Sequence, residues 1–406
     1  MRRNILIFFF LLYGVINAAD IEIKSLKVYS TGDETSFPLI DAKAEPKQTV
    51  TIEFDVNSNS PPNFNIVFRF CDKNWKPYED AFFLNQRYNT EYYLNFQRLP
   101  LHIEGARYHY TGAFPNKNVT FPFSGKWKFY IVDSYDPTIV FAEGSFYVVY
   151  PEIKPITVLH KERFQGNEPD IPALARTISI NTEFRIPDSL YPSEILGVEI
   201  IENRKIDYPV IIDPTHTDYE RFYEWNGNNK FKFIARNIRP GNEYRQTDLR
   251  DYNIYNAKEV YAQYDGIETS DFFHKRKKDL NGGSILTNYK SDYAEYLYVT
   301  FRIRPPEDIQ APVYLTGAFN NWRILPEYEM FDDNGLLYLT LELKRGIYDY
   351  QYVIAYDITQ PDWYILEGNF WETVNEYHIF IYYKSPEYGS YHKIIGYNKI
   401  ISVNYE

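Results

Sequence analysis

The chain reads as an all-β protein, and three observations lead there. Apolar residues alternate with polar ones at the two-residue period of half-buried strands, as in Val50, Ile52, Phe54 and Val56 against Thr51, Glu53 and Asp55, and again in Trp127, Phe129 and Ile131. The 406 residues include 40 Tyr and 29 Phe beside many Ile, Val and Thr, the types that suit a pleated surface. Hardly any window sustains the 3.6-residue period of an amphipathic helix. At ~100 residues per sandwich, the length predicts three consecutive immunoglobulin-like or early-set β-sandwiches behind a leader.

The leader is residues 1–19. Arg2 and Arg3 precede an apolar run from Ile5 to Leu12, and small residues follow at Ala18 and Ala19, which is the three-part layout of a secretory signal peptide. The run is short of the ~20 apolar residues that a spanning helix needs. Cleavage there predicts an exported protein whose formal net charge moves from −12 to −14 as the two arginines leave. The first sandwich is expected over 20–150, ending at Val149-Tyr150-Pro151-Glu152-Ile153-Lys154-Pro155, whose two prolines suit a short stiff linker. A second sandwich is expected over 151–284. It closes on the basic, polar run from His274 to Ser284, read as an exposed loop or a partner-contacting one. The third, over 285–406, carries the clearest element. Asn334-Gly335 sits between alternating strands and favours a type I′ hairpin. Leu337, Leu339, Leu341 and Leu343 share one strand face, and Tyr348, Tyr350 and Tyr352 share a face of the next. Residues His392 to Glu406 are expected to continue this third sandwich.

Charge and cysteine content exclude several kinds of chemistry. An acidic chain lacks the broad basic face that neutralises phosphates, so no nucleic-acid partner is expected. Cys71 is the only cysteine, which leaves no intramolecular disulfide and no cysteine-based zinc site. None of the seven histidines pairs with another at the i, i+4 spacing of zinc hydrolases. The nucleophile elbow, the phosphate-cradling loop and the dinucleotide fingerprint are all missing. The chain therefore reads as a non-enzyme with no catalytic residue, metal, cofactor or small-molecule substrate. A carboxylate pair of glycosidase type would have to hide among many acids.

The stretch Gly317-Ala318-Phe319-Asn320-Asn321-Trp322, before a strand with Tyr348, Tyr350 and Tyr352, resembles glycogen- and starch-binding modules of early-set type. That resemblance implies sugar stacking by Trp322 and Trp363. The lysine that assists in those modules is replaced here by Gln351. This supports an alternative reading, an exported α-glucan-binding protein.

A wider resemblance runs from about residue 25 to 400. It includes Phe68-Arg69-Phe70-Cys71-Asp72-Lys73-Asn74-Trp75, Tyr108-His109-Tyr110, Phe114-Pro115-Asn116 and Ser124-Gly125-Lys126-Trp127. It continues through Glu202-Asn203-Arg204, Pro240-Gly241-Asn242-Glu243-Tyr244-Arg245, Thr316-Gly317-Ala318-Phe319 and Leu343-Lys344-Arg345-Gly346. In order, these motifs resemble the type IX secretion system plug protein family of Bacteroidetes. Lys126 and Trp127 depart from it, since the family more often has Asn and Tyr there. The resemblance implies a periplasmic protein at the periplasmic face of the outer membrane. Its partner would be the giant outer-membrane β-barrel translocon, whose pore it would close by occlusion. Structural work is expected of Gly241, Gly317 and Gly346 in turns of unusual φ, and of Trp75 and Trp127 in core packing.

Overall fold

The computed structural model describes residues 21–164, 174–264, 266–270, 279–286 and 294–402. The leader and residues 274–278 of the basic run lie outside them. Among the described residues there are three single-turn 3-10 segments and no α-helix, so the all-β expectation holds.

Nine strands build the first sandwich: β1 (Glu22–Ser30), β2 (Leu39–Asp41), β3 (Val50–Asn57), β4 (Phe64–Cys71), β5 (Thr90–Glu91), β6 (Gln97–Arg98), β7 (Tyr108–Phe114), β8 (Gly125–Asp133) and β9 (Val140–Val149). They form two facing sheets, ordered β1-β3-β7-β6 and β2-β9-β8-β4-β5. The alternation seen in the sequence sets what faces inward. Val50, Ile52, Phe54 and Val56 meet Phe64, Ile66, Phe68, Trp127, Phe129 and Ile131 in one aromatic-rich core.

The second sandwich begins with β10 (Ile156–Arg163), β11 (Arg176–Arg185), β12 (Ile195–Glu202), β13 (Val210–Ile212), β14 (Arg221–Trp225) and β15 (Lys230–Ile238). The chain then leaves it to build the third, from β16 (Arg245–Asp248), β17 (Glu259–Tyr261), β18 (Glu268–Thr269), β19 (Ser284–Ile285), β20 (Tyr296–Arg304), β21 (Val313–Gly317), β22 (Phe331–Asp333), β23 (Leu336–Lys344) and β24 (Ile347–Ile354). It returns with β25 (Glu376–Ser385) and β26 (Tyr391–Ile401). These last two strands complete the sheet β13-β12-β25-β26, which faces β10-β11-β15-β14 across a core joining Ile178, Ile200 and Phe233 to Tyr377, Ile379 and Ile395. The third sandwich closes around Val299, Phe301, Leu339, Tyr350 and Tyr352 without them.

This packing corrects two expectations. The third sandwich is inserted into the second, so the division into 151–284 and 285–406 does not follow the cores. His392 and its neighbours belong to the second sandwich, because Val198 pairs with Ile381, and Ile381 with Gly396. The hairpin at Asn334-Gly335 forms as read, with φ of 53° and 80°.

Candidate functional site: the seams between the sandwiches

Most of the motif residues lie where one sandwich meets another, or in the turns that shape those meetings. At the seam between the first and second, β4 ends at Cys71 and a tight turn follows. Asp72 Oδ1 accepts the backbone N–H groups of Asn74 (2.8 Å) and Lys76 (2.9 Å), which turns the chain. Trp75, at φ 64°, is thereby carried out of the core of its own sandwich and set edge-on to Tyr147 with ring centroids 5.2 Å apart. Above its ring, at 4.7 Å, is the ammonium of Lys126. That buried ammonium donates to Glu199 of the second sandwich at 2.7 Å and to the Lys73 carbonyl at 2.8 Å. The Tyr382 hydroxyl donates to the other oxygen of Glu199 at 2.6 Å. The departure at position 126 is thus matched by a carboxylate across the seam. Around this pair Phe37, Leu39 and Val149 pack on Ile201, Phe380 and Ile394, and Phe37 stacks on His378 at 3.9 Å.

Arg204 crosses the same seam. Its guanidinium donates to three carbonyl oxygens of the first sandwich, those of Val28, Thr35 and Ser36. Burial lowers its pKa to about 10, still leaving the group charged at neutral pH. Asn203 beside it adopts φ 51°, which lets its side chain reach Tyr244 OH (2.9 Å) and Asn375 Oδ1 (2.8 Å) and accept the Glu376 N–H (2.8 Å).

At the seam between the first and third sandwiches, Asp55 of β3 is 1 % exposed. Lys344 Nζ lies 2.9 Å from it, His109 Nδ1 2.7 Å, and the Tyr296 hydroxyl donates to it at 2.8 Å. Burial opposes the charge, yet the His109 hydrogen bond and the Lys344 ammonium outweigh it and hold the carboxyl below its ordinary value. Lys27 donates to Glu34 at 2.6 Å and to the Ser284 carbonyl at 2.5 Å. Burial, against the pull of Glu34, takes its pKa down to about 8.

Between the second and third sandwiches the chain crosses twice, and the Pro-Gly-Asn-Glu-Tyr-Arg motif zips the two crossings together. Gly241, at φ 68°, donates to Asn369 Oδ1 (2.9 Å) and accepts the Phe370 N–H (2.7 Å). Asn242 donates to the Glu367 carbonyl and Glu243 accepts the Val374 N–H, each at 2.8 Å. Arg245, 1 % exposed, donates to Glu367 (2.8 Å), to Glu268 (3.0 Å) and to the Thr269 carbonyl (2.9 Å) beneath the Tyr352 ring. Desolvation opposes its charge, but the two glutamates raise its pKa above the ordinary arginine value.

Other motif residues have local tasks. Asn116, after the Phe114-Pro115 step, caps its turn by accepting the N–H groups of Asn118 and Val119 at 2.9 Å each. Gly125, at φ 153°, leaves room for the Phe70 ring, which a Cβ would approach to 2.7 Å. Phe319 packs on Phe301 with centroids 5.7 Å apart. Gly317 and Gly346 differ from expectation, since neither has positive φ. They are required by close approach, because a Cβ would sit 2.5 Å from the Asp349 carbonyl and 2.7 Å from that of Ile285 respectively. Trp127 is core, as expected, whereas Trp75 serves a seam.

The sugar-stacking assignment fails on burial. Trp322 is 1 % and Trp363 8 % exposed, packed together with Tyr244, Ile324 and Val353. The Trp322 indole N–H donates to the Gly282 carbonyl at 2.8 Å, and the Lys205 ammonium sits 4.4 Å over the Trp363 ring. Neither ring has a face open to a saccharide. Cys71 is also buried, and burial pushes its thiol up to about 12, far from thiolate chemistry at neutral pH. Among the described residues no group of three or more His, Cys, Asp or Glu is placed to hold a metal ion. Asp279 and Asp349 lie buried near one another, and desolvation raises the pKa of both. Asp349 Oδ2 nevertheless accepts the N–H groups of Leu280 (2.7 Å) and Gly282 (3.0 Å), so the pair fixes the segment 279–286 at the seams.

These features define a three-lobed β-sandwich body locked by buried polar contacts. Comparison with family models matches residues 23–150, the first sandwich, to the Type 9 secretion system plug protein 1st domain. The first sandwich thus matches a plug-protein domain of the type 9 secretion system, and that match ties the chain to type IX secretion. Among solved structures, a hypothetical protein from Parabacteroides merdae ATCC 43184 superposes with a TM-score of 0.73 at 19 % identity, over 94 % of this chain and 98 % of that one. At that identity the likeness speaks for the fold alone. A chain from a 1.5-MDa bacterial ice-binding adhesin aligns over 94 % of this chain and 96 % of its own, at 9 % identity and a TM-score of 0.16, which carries no argument. No curated protein matches. No helix among the described residues is long and apolar enough to cross a membrane.

Proposed function

We propose that the protein is a periplasmic plug that occludes the periplasmic opening of the giant outer-membrane β-barrel translocon, keeping the pore closed until cargo passes. The match of the first sandwich to the plug protein first domain carries this reading. The mechanism is steric and involves no catalytic step, cofactor or small-molecule substrate. A compact chain of this length has a radius of gyration of about 21 Å, a body large enough to obstruct a wide pore. Obstruction also needs stiffness, because a chain of loosely tethered domains would let solute pass between them. Three buried or largely buried cations, Lys126, Arg204 and Lys344, each satisfied by groups of a neighbouring sandwich, hold the lobes in one arrangement. Separating the lobes would leave those charges and their partners unpaired, at several kcal/mol apiece. The predicted leader supplies export to the periplasm.

The test is affinity recovery of tagged protein from detergent-solubilised outer membranes, with partners identified by mass spectrometry. A very large β-barrel in near-equal amounts is expected, together with outer membranes that admit large solutes when the gene is deleted. Recovery of no barrel, with an unaltered permeability barrier, would refute the plug.

A further inference from the structure

One end of the first sandwich is taken up by the seam with the second; the opposite end, where loop 99–107 also rests on Tyr296 and Lys258 of the third sandwich, carries an unusual set of loops. The pairings Glu22 with Asn57, Asn57's neighbour Val56 with Tyr108, and Phe64 with Asp133 bring the loops 58–63, 92–96, 99–107 and 134–139 to that end. Their tips expose Tyr92 (59 %), Tyr93 (75 %), Leu101 (84 %) and Tyr135 (83 %). Loops 58–63 and 92–96 contain no charged residue in a chain that is 24 % charged.

The tips are held in place. Asn65 Oδ1 accepts the Tyr93 N–H at 2.8 Å and the Ser134 hydroxyl at 3.1 Å, which ties two loops to one side chain. Leu94 N donates to the Phe64 carbonyl at 3.0 Å. Asp133 Oδ1 accepts the N–H groups of Tyr135 (2.8 Å) and Asp136 (3.0 Å). Tyr93 sits at φ 52°, a conformation costly for a bulky side chain and of the kind that gathers at binding sites. Beside these knobs is a concavity of about 280 Å³ lined by Asn57, Asn59, Arg98, Leu101 and Arg107 among others. Its one acid, Glu104, is engaged by Lys258 at 2.7 Å. The Arg98 and Arg107 guanidinium groups make no ion pair or hydrogen bond among the described residues.

We infer that this end of the first sandwich is a docking surface for an acidic loop of a protein partner, a carboxylate of which enters the concavity between Arg98 and Arg107 while the tyrosines flank it. Two arguments select that occupant. Unpaired arginines in an otherwise acidic molecule complement a carboxylate, for which guanidinium geometry is suited. The exposed area of the tips, with Ile139 and Val140 alongside, is on the order of 750 Å² if each large side chain offers 150–250 Å², about one partner's share of a standard interface. Tyr and Arg on rigid loops are also the residue types that dominate binding energy at interfaces. The inference rests on the plug reading, with the partner being the translocon.

The test compares recovery of the large barrel from solubilised outer membranes by three full-length proteins: wild type, the double variant Arg98→Glu with Arg107→Glu, and Tyr356→Ala, which alters an 83 % exposed side chain of the third sandwich. All three are checked for an unchanged thermal midpoint. Wild type and Tyr356→Ala should recover the barrel equally and the double variant at least tenfold less, with the wild-type interaction weakening as salt is raised. A photo-cross-linking residue at position 93 should form adducts with a barrel peptide containing Asp or Glu. Equal recovery by the double variant, or adducts confined to a cross-linker at position 356, would overturn the inference while leaving the plug intact. Wild type that recovers no barrel removes the plug reading and the inference with it. Sedimentation of wild type with phosphatidylethanolamine–phosphatidylglycerol vesicles, abolished by Tyr93→Ala, would make the occupant a membrane and overturn it too.

Discussion

Arg204 shows how much one side chain can hold. Its guanidinium satisfies three carbonyls of another sandwich, so Arg204→Ala leaves those acceptors without donors and should cost about 2–4 kcal/mol in chemical denaturation. Arg204→Lys keeps the charge but not the fork, and should recover only part of that loss. Trp322 separates core packing from glucan binding. Trp322→Ala removes a buried indole and should cost about 3–5 kcal/mol, while wild-type Trp fluorescence should stay silent to maltooligosaccharides up to millimolar concentration. Asp349 gives the pH dependence a sign. Its folded pKa is raised chiefly by burial, so the folded state holds the proton more tightly than the unfolded one. That contribution is fully present below the ordinary carboxylate value of ~4 and is lost as pH rises through the raised folded value. Asp349→Asn should therefore flatten the fall of the melting temperature that wild type shows as pH rises between the ordinary and the raised value, in calorimetry across pH 4 to 9.

At the scale of elements, the strands were readable and their partners were not. Asn334-Gly335 announces its hairpin because both residues tolerate positive φ, and the Leu and Tyr rows on β23 and β24 declare their inward faces by period alone. The period of β25 is the same whichever sheet receives it, and adjacency in sequence argued for the third sandwich when the second was correct. The motif residues were legible as a set but not in their tasks. A turn glycine and a close-approach glycine look alike in sequence, and a lysine beside a strand's core positions gives no sign of a carboxylate 73 residues away. The two kinds of glycine should separate in experiment. Gly317→Ala drives a methyl to 2.5 Å from the Asp349 carbonyl and should cost about 1–3 kcal/mol. Gly335→Ala meets nothing within 4 Å, and its cost is limited to the conformational one, about 1 kcal/mol.

The whole molecule is organised by the insertion of one sandwich into another, and that arrangement dictates which pieces can stand alone. A fragment ending at residue 284 keeps β10 to β15 but loses β25 and β26, which supply Tyr377, Ile379, Ile381 and Ile395 to the second core. Ile200 and Ile178 would then face water, and the loss of burial is far larger than the few kcal/mol by which a domain of that size is stable. Such a fragment should show by calorimetry and limited proteolysis a single folded core, the first sandwich, whose own cluster, among the described residues, draws only Tyr391 from beyond residue 149. The complementary excision should behave in the opposite way. Gly241 accepts the Phe370 N–H at 2.7 Å, so the two crossings between sandwiches run side by side. Residue 242 can therefore be joined to residue 369 by a Gly-Ser pair, replacing the third sandwich without stretching the second. The shortened protein should fold with both remaining cores intact and a lowered midpoint, since Asp55 loses Lys344 and Tyr296 from across the seam. A stable two-sandwich fragment 20–284, or an unfolded excision variant, would contradict the inserted arrangement.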